Sequence, residues 1–116
     1  MTNILLTNKR AKTSEGAVAY SVRISDPVRA YLRTHSGLTR EGRLKLMAGV
    51  LGLLRDHGDE LRSDPSRRLV SGSPNFRFNY IFSDAGHYFH ADCIADDSAA
   101  AYGLLDLVYL DCQVGT

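Results

Sequence analysis

Phe76-Arg77-Phe78-Asn79-Tyr80-Ile81-Phe82-Ser83-Asp84-Ala85-Gly86-His87-Tyr88-Phe89-His90-Ala91-Asp92-Cys93 decides the fold. Phe76, Phe78, Tyr80 and Phe82 recur at period two, with Arg77, Asn79 and Ile81 on the opposite face, which is the pattern of a half-buried strand. Four aromatics in alternation mark the inner face of a sheet. Ser83-Asp84-Ala85-Gly86 reads as a four-residue hairpin loop. Placing Phe82 opposite His87 brings Tyr80 to Phe89, Phe78 to Ala91 and Phe76 to Cys93. The outer pairs are then Arg77 with Asp92, Asn79 with His90, and Ile81 with Tyr88. A slip by one residue would bury those polar groups, so the pattern selects its own alignment.

Downstream, Asp96-Asp97-Ser98-Ala99-Ala100-Ala101 forms a connection, and Tyr102 to Cys112 reads as a strand apolar on both faces, hence central. Upstream, Ala17 to Ile24 alternates, with Val18, Tyr20, Val22 and Ile24 on one face. Ser25-Asp26-Pro27 combines a capping side chain with proline in the first helical turn, predicting a helix from Pro27 to His35 with Val28, Tyr31 and Leu32 inward. Gly37 stops it, and Thr39 caps a longer helix whose apolar positions are Leu44, Met47, Val50, Leu51, Leu54 and Leu61. Gly49 and Gly52 are expected to permit close approach to the sheet or the first helix, and Gly58-Asp59 to end the helix early. Ser63-Asp64-Pro65-Ser66 is a break. The prediction is a loose arm over residues 1–16, then a single α+β domain over 17–116. In it an N-terminal strand and a two-helix pair precede a three-stranded antiparallel meander, with the helices on one face of a mainly antiparallel sheet.

The 116 residues, 44% of them hydrophobic and 23% charged, fit one globular domain. No apolar run approaches the roughly 20 residues that span a bilayer, and the opening segment lacks a charged n-region, so a cytoplasmic, non-membrane protein is expected. Cys93 and Cys112 form no metal-spacing motif and are expected in the core. The net charge of +1 hides a division: all 14 basic residues lie at or before Arg77, and the 39 residues that follow carry six aspartates and no cation. Such a split suits either a basic face for an anionic partner or two halves that neutralise one another, within the fold or across a homodimer.

Phosphate-binding glycine motifs, HExxH, CxxC and the nucleophile elbow are absent, and no cofactor is implied. The outer face of the hairpin gathers Arg77, Asn79, Tyr88, His90 and Asp92. These could cleave a phosphodiester, with His90 moving protons, Arg77 holding the phosphate and Asp92 orienting the imidazole. They equally read as a cross-strand ion pair and a hydrogen-bonded pair. His90 and Asp92 alone are too few for a metal without a third ligand such as Asp111. Arg67 and Arg68, with Arg43 and Lys45 on the long helix, are the candidate nucleic-acid contacts; a solvated helix face would carry the same charges.

The element order, with Tyr20-Ser21-Val22-Arg23-Ile24-Ser25 before the helices and Asn75-Phe76-Arg77-Phe78-Asn79-Tyr80 after them, resembles the RelE/ParE toxin superfamily, in which an aromatic-Arg-x-x-Tyr strand follows a helical pair. The resemblance implies a compact cytoplasmic protein sequestered by an antitoxin, whose ribonuclease members cut messenger RNA on the ribosome. It places Arg77 at the arginine set against the scissile phosphate, and Tyr102 where a tyrosine sometimes contributes. It also implies a further arginine after the next strand, where this chain has Ala95-Asp96-Asp97-Ser98. The expectation is therefore a diverged toxin-family protein binding nucleic acid or a protein partner, and an endoribonuclease if it is an enzyme. The alternative is a non-enzymatic homodimeric or partner-binding module.

Overall fold

A computed structural model describes residues 19–34 and 37–115; the predicted arm, Ala17, Val18 and His35 lie outside the described residues. The elements are β1 (Ser21–Ile24), α1 (Asp26–Thr34), α2 (Arg40–Ser63), β2 (Asn75–Asp84), β3 (His87–Asp96) and β4 (Leu104–Val114), with single 3-10 turns at Pro65–Arg67 and Ala100–Tyr102. The four strands form one mixed sheet in the order β1-β4-β3-β2. The antiparallel β2-β3-β4 meander is present, and β1 lies parallel to β4 on its far side. Among the described residues no helix is long and apolar enough to cross a membrane.

The hairpin register is offset by two residues from the expected one. Asp84 faces His87 across the turn Ala85-Gly86, and Phe82 faces Phe89. Both turn residues have positive φ, 52° at Ala85 and 82° at Gly86, the backbone of a tight two-residue hairpin turn whose twist matches the strands it joins. Asp84 extends the strand because its carboxylate has a partner: it accepts from the Thr39 amide at 3.1 Å and the Thr39 hydroxyl at 2.7 Å. Those two bonds hold the Asp84 carboxyl below the usual carboxylate range. An offset of two moves no side chain to the other face, so the aromatic row still builds the core. Phe76, Phe78 and Phe82 are buried with Phe89, Ala91, Cys93 and Ala95 from β3.

β4 is a central strand, as expected, between β1 and β3, and a bulge gives it apolar residues at both odd and even positions. Ile94 pairs with Tyr109 and Ala95 with Leu107, leaving Val108 as an extra residue. That bulge reverses the alternation midway, so Leu105 and Leu107 before it and Leu110 and Cys112 after it all face the helices. The strand begins at Leu104, two residues later than expected, because Gly103 takes a left-handed conformation at φ 78° and closes the turn containing Tyr102. β1 covers β4 only through Leu107. Beyond that point Tyr31 of α1 takes over the exposed strand edge, its hydroxyl accepting the Cys112 N–H at 2.8 Å and reaching the Cys112 carbonyl at 3.2 Å.

Helix α2 starts as predicted, with the Thr39 hydroxyl accepting the Gly42 N–H at 2.9 Å. The expected cap of α1 differs: the Ser25 hydroxyl is buried with no hydrogen-bond partner among the described residues. The inward stripe of α2 is Gly42, Leu46, Val50, Leu54 and Gly58, and Leu44, expected inside, is 64% exposed. The expected break at Gly58-Asp59 falls one residue earlier: His57 (φ −124°, ψ 17°) leaves the helical conformation, and after this kink a second helical run continues to Ser63, with Gly58 lying against Tyr20 and Leu105.

The two glycines singled out from the sequence separate into different roles. A Cβ at Gly49 would fall 1.9 Å from the Tyr80 ring, whereas one at Gly52 would meet only the Arg55 side chain at 3.8 Å. Gly49→Ala is expected to destabilise the fold by about 1–2 kcal/mol, the overlap outweighing the gain in helix propensity. Gly52→Ala is expected to stabilise it by up to about 1 kcal/mol. Parallel urea titrations of the two variants check both signs.

Candidate functional site: the open face of the sheet

Both helices pack on one face of the sheet, and among the described residues nothing covers the other. Pairing sorts that open face into rows. Asn79, Asp92 and Asp111 form one row across β2, β3 and β4; Arg77, Ile94 and Tyr109 form the next; Asn75, Asp96 and Asp106 form a third, which Arg23 of β1 extends; Ile81, His90 and Gln113 flank the first on its other side. Tyr88 stands opposite Ser83 beyond them and is 70% exposed. All four residues proposed for catalysis, Arg77, Tyr88, His90 and Asp92, thus lie on this one face.

Their arrangement differs from the expected one. The offset register replaces the Arg77–Asp92 pair by Asn79 and Asp92, whose amide and carboxylate are 2.6 Å apart. Arg77 faces Ile94 and makes no side-chain ion pair or hydrogen bond among the described residues. His90 Nε2 lies 3.5 Å from an Asp92 oxygen, at a site where both side chains are about half exposed. Arg77 and His90 are separated by four strand positions, roughly 13 Å along the sheet at the usual rise per residue. One phosphate group cannot be gripped by the first and receive a proton from the second without both side chains reaching toward each other.

The sequence reading missed Tyr109 and Ile94, which with Arg77, Asn79 and Asp92 line a depression of about 330 Å³ in the middle of the face. It also missed how the aspartates assemble. Asp92 faces Asp111 and Asp96 faces Asp106, so four of the six C-terminal aspartates stand on this surface in two directly opposed pairs. Like charges directly opposite one another on a sheet are unfavourable, and each carboxylate is partly compensated. Arg23 binds Asp106 through both oxygens at 2.6 and 3.0 Å; Gln113 donates to Asp111 at 2.8 Å; the Ser98 amide donates to Asp96 at 2.8 Å. Asp111 does stand next to Asp92, where a third metal ligand would be needed. Yet among the described residues no group of three or more His, Cys, Asp or Glu is arranged to hold a metal ion.

The candidate nucleic-acid contacts lie elsewhere, and each has a structural partner. Arg68 is half buried: its guanidinium reaches Asp97 at 2.7 Å, the Ser73 carbonyl at 3.3 Å and the Arg62 carbonyl, and lies 5.5 Å from the Phe76 ring centroid. Arg62 binds the same Asp97 oxygen at 3.1 Å. Arg67 pairs with Asp64 at 3.4 Å and donates to the Arg77 carbonyl at 3.4 Å. Arg43 donates to the Leu38 carbonyl at 3.3 Å and Lys45 to the Ser83 carbonyl at 3.1 Å. Both cysteines are buried, and burial pushes Cys93 up to about 12 and Cys112 up to about 11, so both remain neutral thiols at physiological pH. Comparison of the chain with models of known families, with curated proteins and with solved structures gave no match.

Proposed function

We propose that this chain is a partner-binding protein of RelE/ParE-like build that receives a cationic segment of another protein on its open sheet face. The paired carboxylates of Asp92 with Asp111 and Asp96 with Asp106 carry this reading. They concentrate negative charge on the sheet face that has no covering layer among the described residues, where an incoming lysine or arginine relieves the repulsion between them. The apolar members of the face, Ile94, Tyr109, Ile81 and Tyr88, supply the contact area that charge alone lacks. In the family the chain resembles, the corresponding partner is the antitoxin. RNA is disfavoured because its phosphates would meet those same carboxylates.

A defined probe tests this: a synthetic extended peptide alternating arginine with valine, compared with its glutamate counterpart by calorimetry. The arginine peptide is expected to bind, Asp92→Asn/Asp111→Asn to weaken binding about tenfold or more, and added salt to weaken it further. Equal binding of the two peptides, or an unchanged affinity in the double variant, would sink the proposal.

The Arg77 guanidinium, unpaired among the described residues, with His90 beside Asp92, favours a second reading as an endoribonuclease. It requires that wild-type protein cut a labelled single-stranded RNA and that Arg77→Ala and His90→Ala each abolish the cut. The expected result here is no cleavage by the wild type.

A further inference from the structure

Along β3 the open face shows Asp92, Ile94 and Asp96 at successive outward positions, and β4 repeats the order beside them as Asp111, Tyr109 and Asp106. The second column exists because of the bulge. Without the extra residue, regular alternation from Asp106 would put Val108 and Leu110 on this face and turn Tyr109 and Asp111 inward. Two acidic rows therefore bracket one apolar row. Same-face neighbours on a strand are roughly 6.7 Å apart, which sets the acidic rows about 13 Å from each other. The depression of about 330 Å³ has Ile94 and Tyr109 among its walls, with Asp92 and Asn79 beside them, and Arg77 stands at the β2 end of the apolar row. The acidic rows are not equivalent. Arg23 binds both oxygens of Asp106, whereas Asp92 and Asp111 accept from the neutral amides of Asn79 and Gln113 at 2.6 and 2.8 Å. Neutral donors compensate a carboxylate without cancelling its charge, so the Asp92 and Asp111 row is the stronger seat for a cation.

We propose, building on the reading of this face as a receptor for a cationic segment, that the segment is extended and carries basic residues at positions i and i+4 with a large apolar residue at i+2. An extended chain laid along β3 repeats its side chains at the spacing of the rows. Its first cation meets Asp92 and Asp111, its apolar side chain enters the depression against Ile94 and Tyr109, and its second cation meets Asp96. Arg77 enforces the middle position. Its guanidinium has no side-chain ion pair or hydrogen bond among the described residues, and a basic side chain at i+2 would be brought beside it. The row without carboxylates thus rejects the residue type that the rows on either side select, and the position of the charges, beyond their number, decides which segment fits.

Three peptides of identical composition, capped at both ends and flanked by glycine and serine, test the spacing by amide NMR titration of the full chain. The first contains Arg-Ser-Leu-Ser-Arg; the second, Arg-Leu-Ser-Ser-Arg, turns the leucine to the other side; the third, Arg-Ser-Arg-Ser-Leu, moves a cation onto the middle row. The first is expected to bind about tenfold more tightly than either of the others. Arg77→Gln is expected to tighten the third about fivefold or more and to leave the first within about twofold of its wild-type affinity. Tyr109→Ala is expected to weaken the first about fivefold or more, toward the level of the second. Circular dichroism establishes that each variant is folded. If none of the three peptides binds, the face does not receive cations, and the spacing is overturned together with the reading on which it rests. If all three bind alike, if Arg77→Gln leaves their order unchanged, or if Tyr109→Ala has no effect on the first, the face receives cations and the spacing alone is overturned.

Discussion

Phe76→Ala is expected to destabilise the protein by about 3–5 kcal/mol, the range for deleting a fully buried aromatic ring from a core. Phe76 is 0% exposed, at the start of the aromatic row, with its ring 6.3 Å from that of Phe78. It has a second role, since the Arg68 guanidinium lies over it. The substitution therefore removes apolar burial and also the floor on which a half-buried cation rests. Urea denaturation of Phe76→Ala beside Phe78→Ala measures the effect, and the difference between the two estimates what the cation adds. A loss below about 1.5 kcal/mol at Phe76 would show that the core collapses around the missing ring.

Asp97→Ala is expected to cost about 2–3 kcal/mol, somewhat less than removal of one partner from a fully buried ion pair. The Asp97 side chain is 11% exposed and ties Arg62 at the end of α2 to Arg68 before β2. Without it, two half-buried guanidinium groups face each other with no carboxylate between them. Asp97→Asn keeps the shape and removes the charge, so its deficit relative to Ala separates packing from electrostatics. Because Phe76 and Asp97 share Arg68, the double variant is expected to lose less than the sum of the single losses by about 0.5–1 kcal/mol. Strict additivity in a double-mutant cycle would mean that Arg68 holds its place without either neighbour.

Several structural features were legible in the residues because they follow from local periodicity. The aromatic row on β2, the Thr39 cap and the meander appear where the pattern put them, and the hairpin follows the aromatic row with its turn shortened to Ala85-Gly86. The candidate residues Arg77, Tyr88, His90 and Asp92 were assigned to one face, and alternation alone suffices for that. The two-residue offset of the hairpin was not legible, since both registers keep every side chain on its own face. What separates them is Asp84, which is drawn into the strand by Thr39, 45 residues away in the chain. The inversion of Leu44 and Leu46 has a similar origin: small residues on α2 lie against Tyr20, Tyr80 and Asp84, and that orientation is set by the sheet.

The sequence by itself determined the α+β class, the two faces of the hairpin and the division of charge between the two parts of the chain. It could do so because strand and helix periods and net charge are properties of neighbouring residues. The tertiary structure alone decided where the charge goes. The bulge at Val108 turns β4 so that Asp106 and Asp111 meet Asp96 and Asp92 across the strands, while Asp97 turns inward to Arg62 and Arg68. Pairing across strands brings together residues far apart in the chain, and one extra residue in a strand reverses which side it shows. For that reason the acidic C-terminal part becomes an acidic face, and most of the arginines expected to meet nucleic acid are held by carboxylates and carbonyls of the same chain.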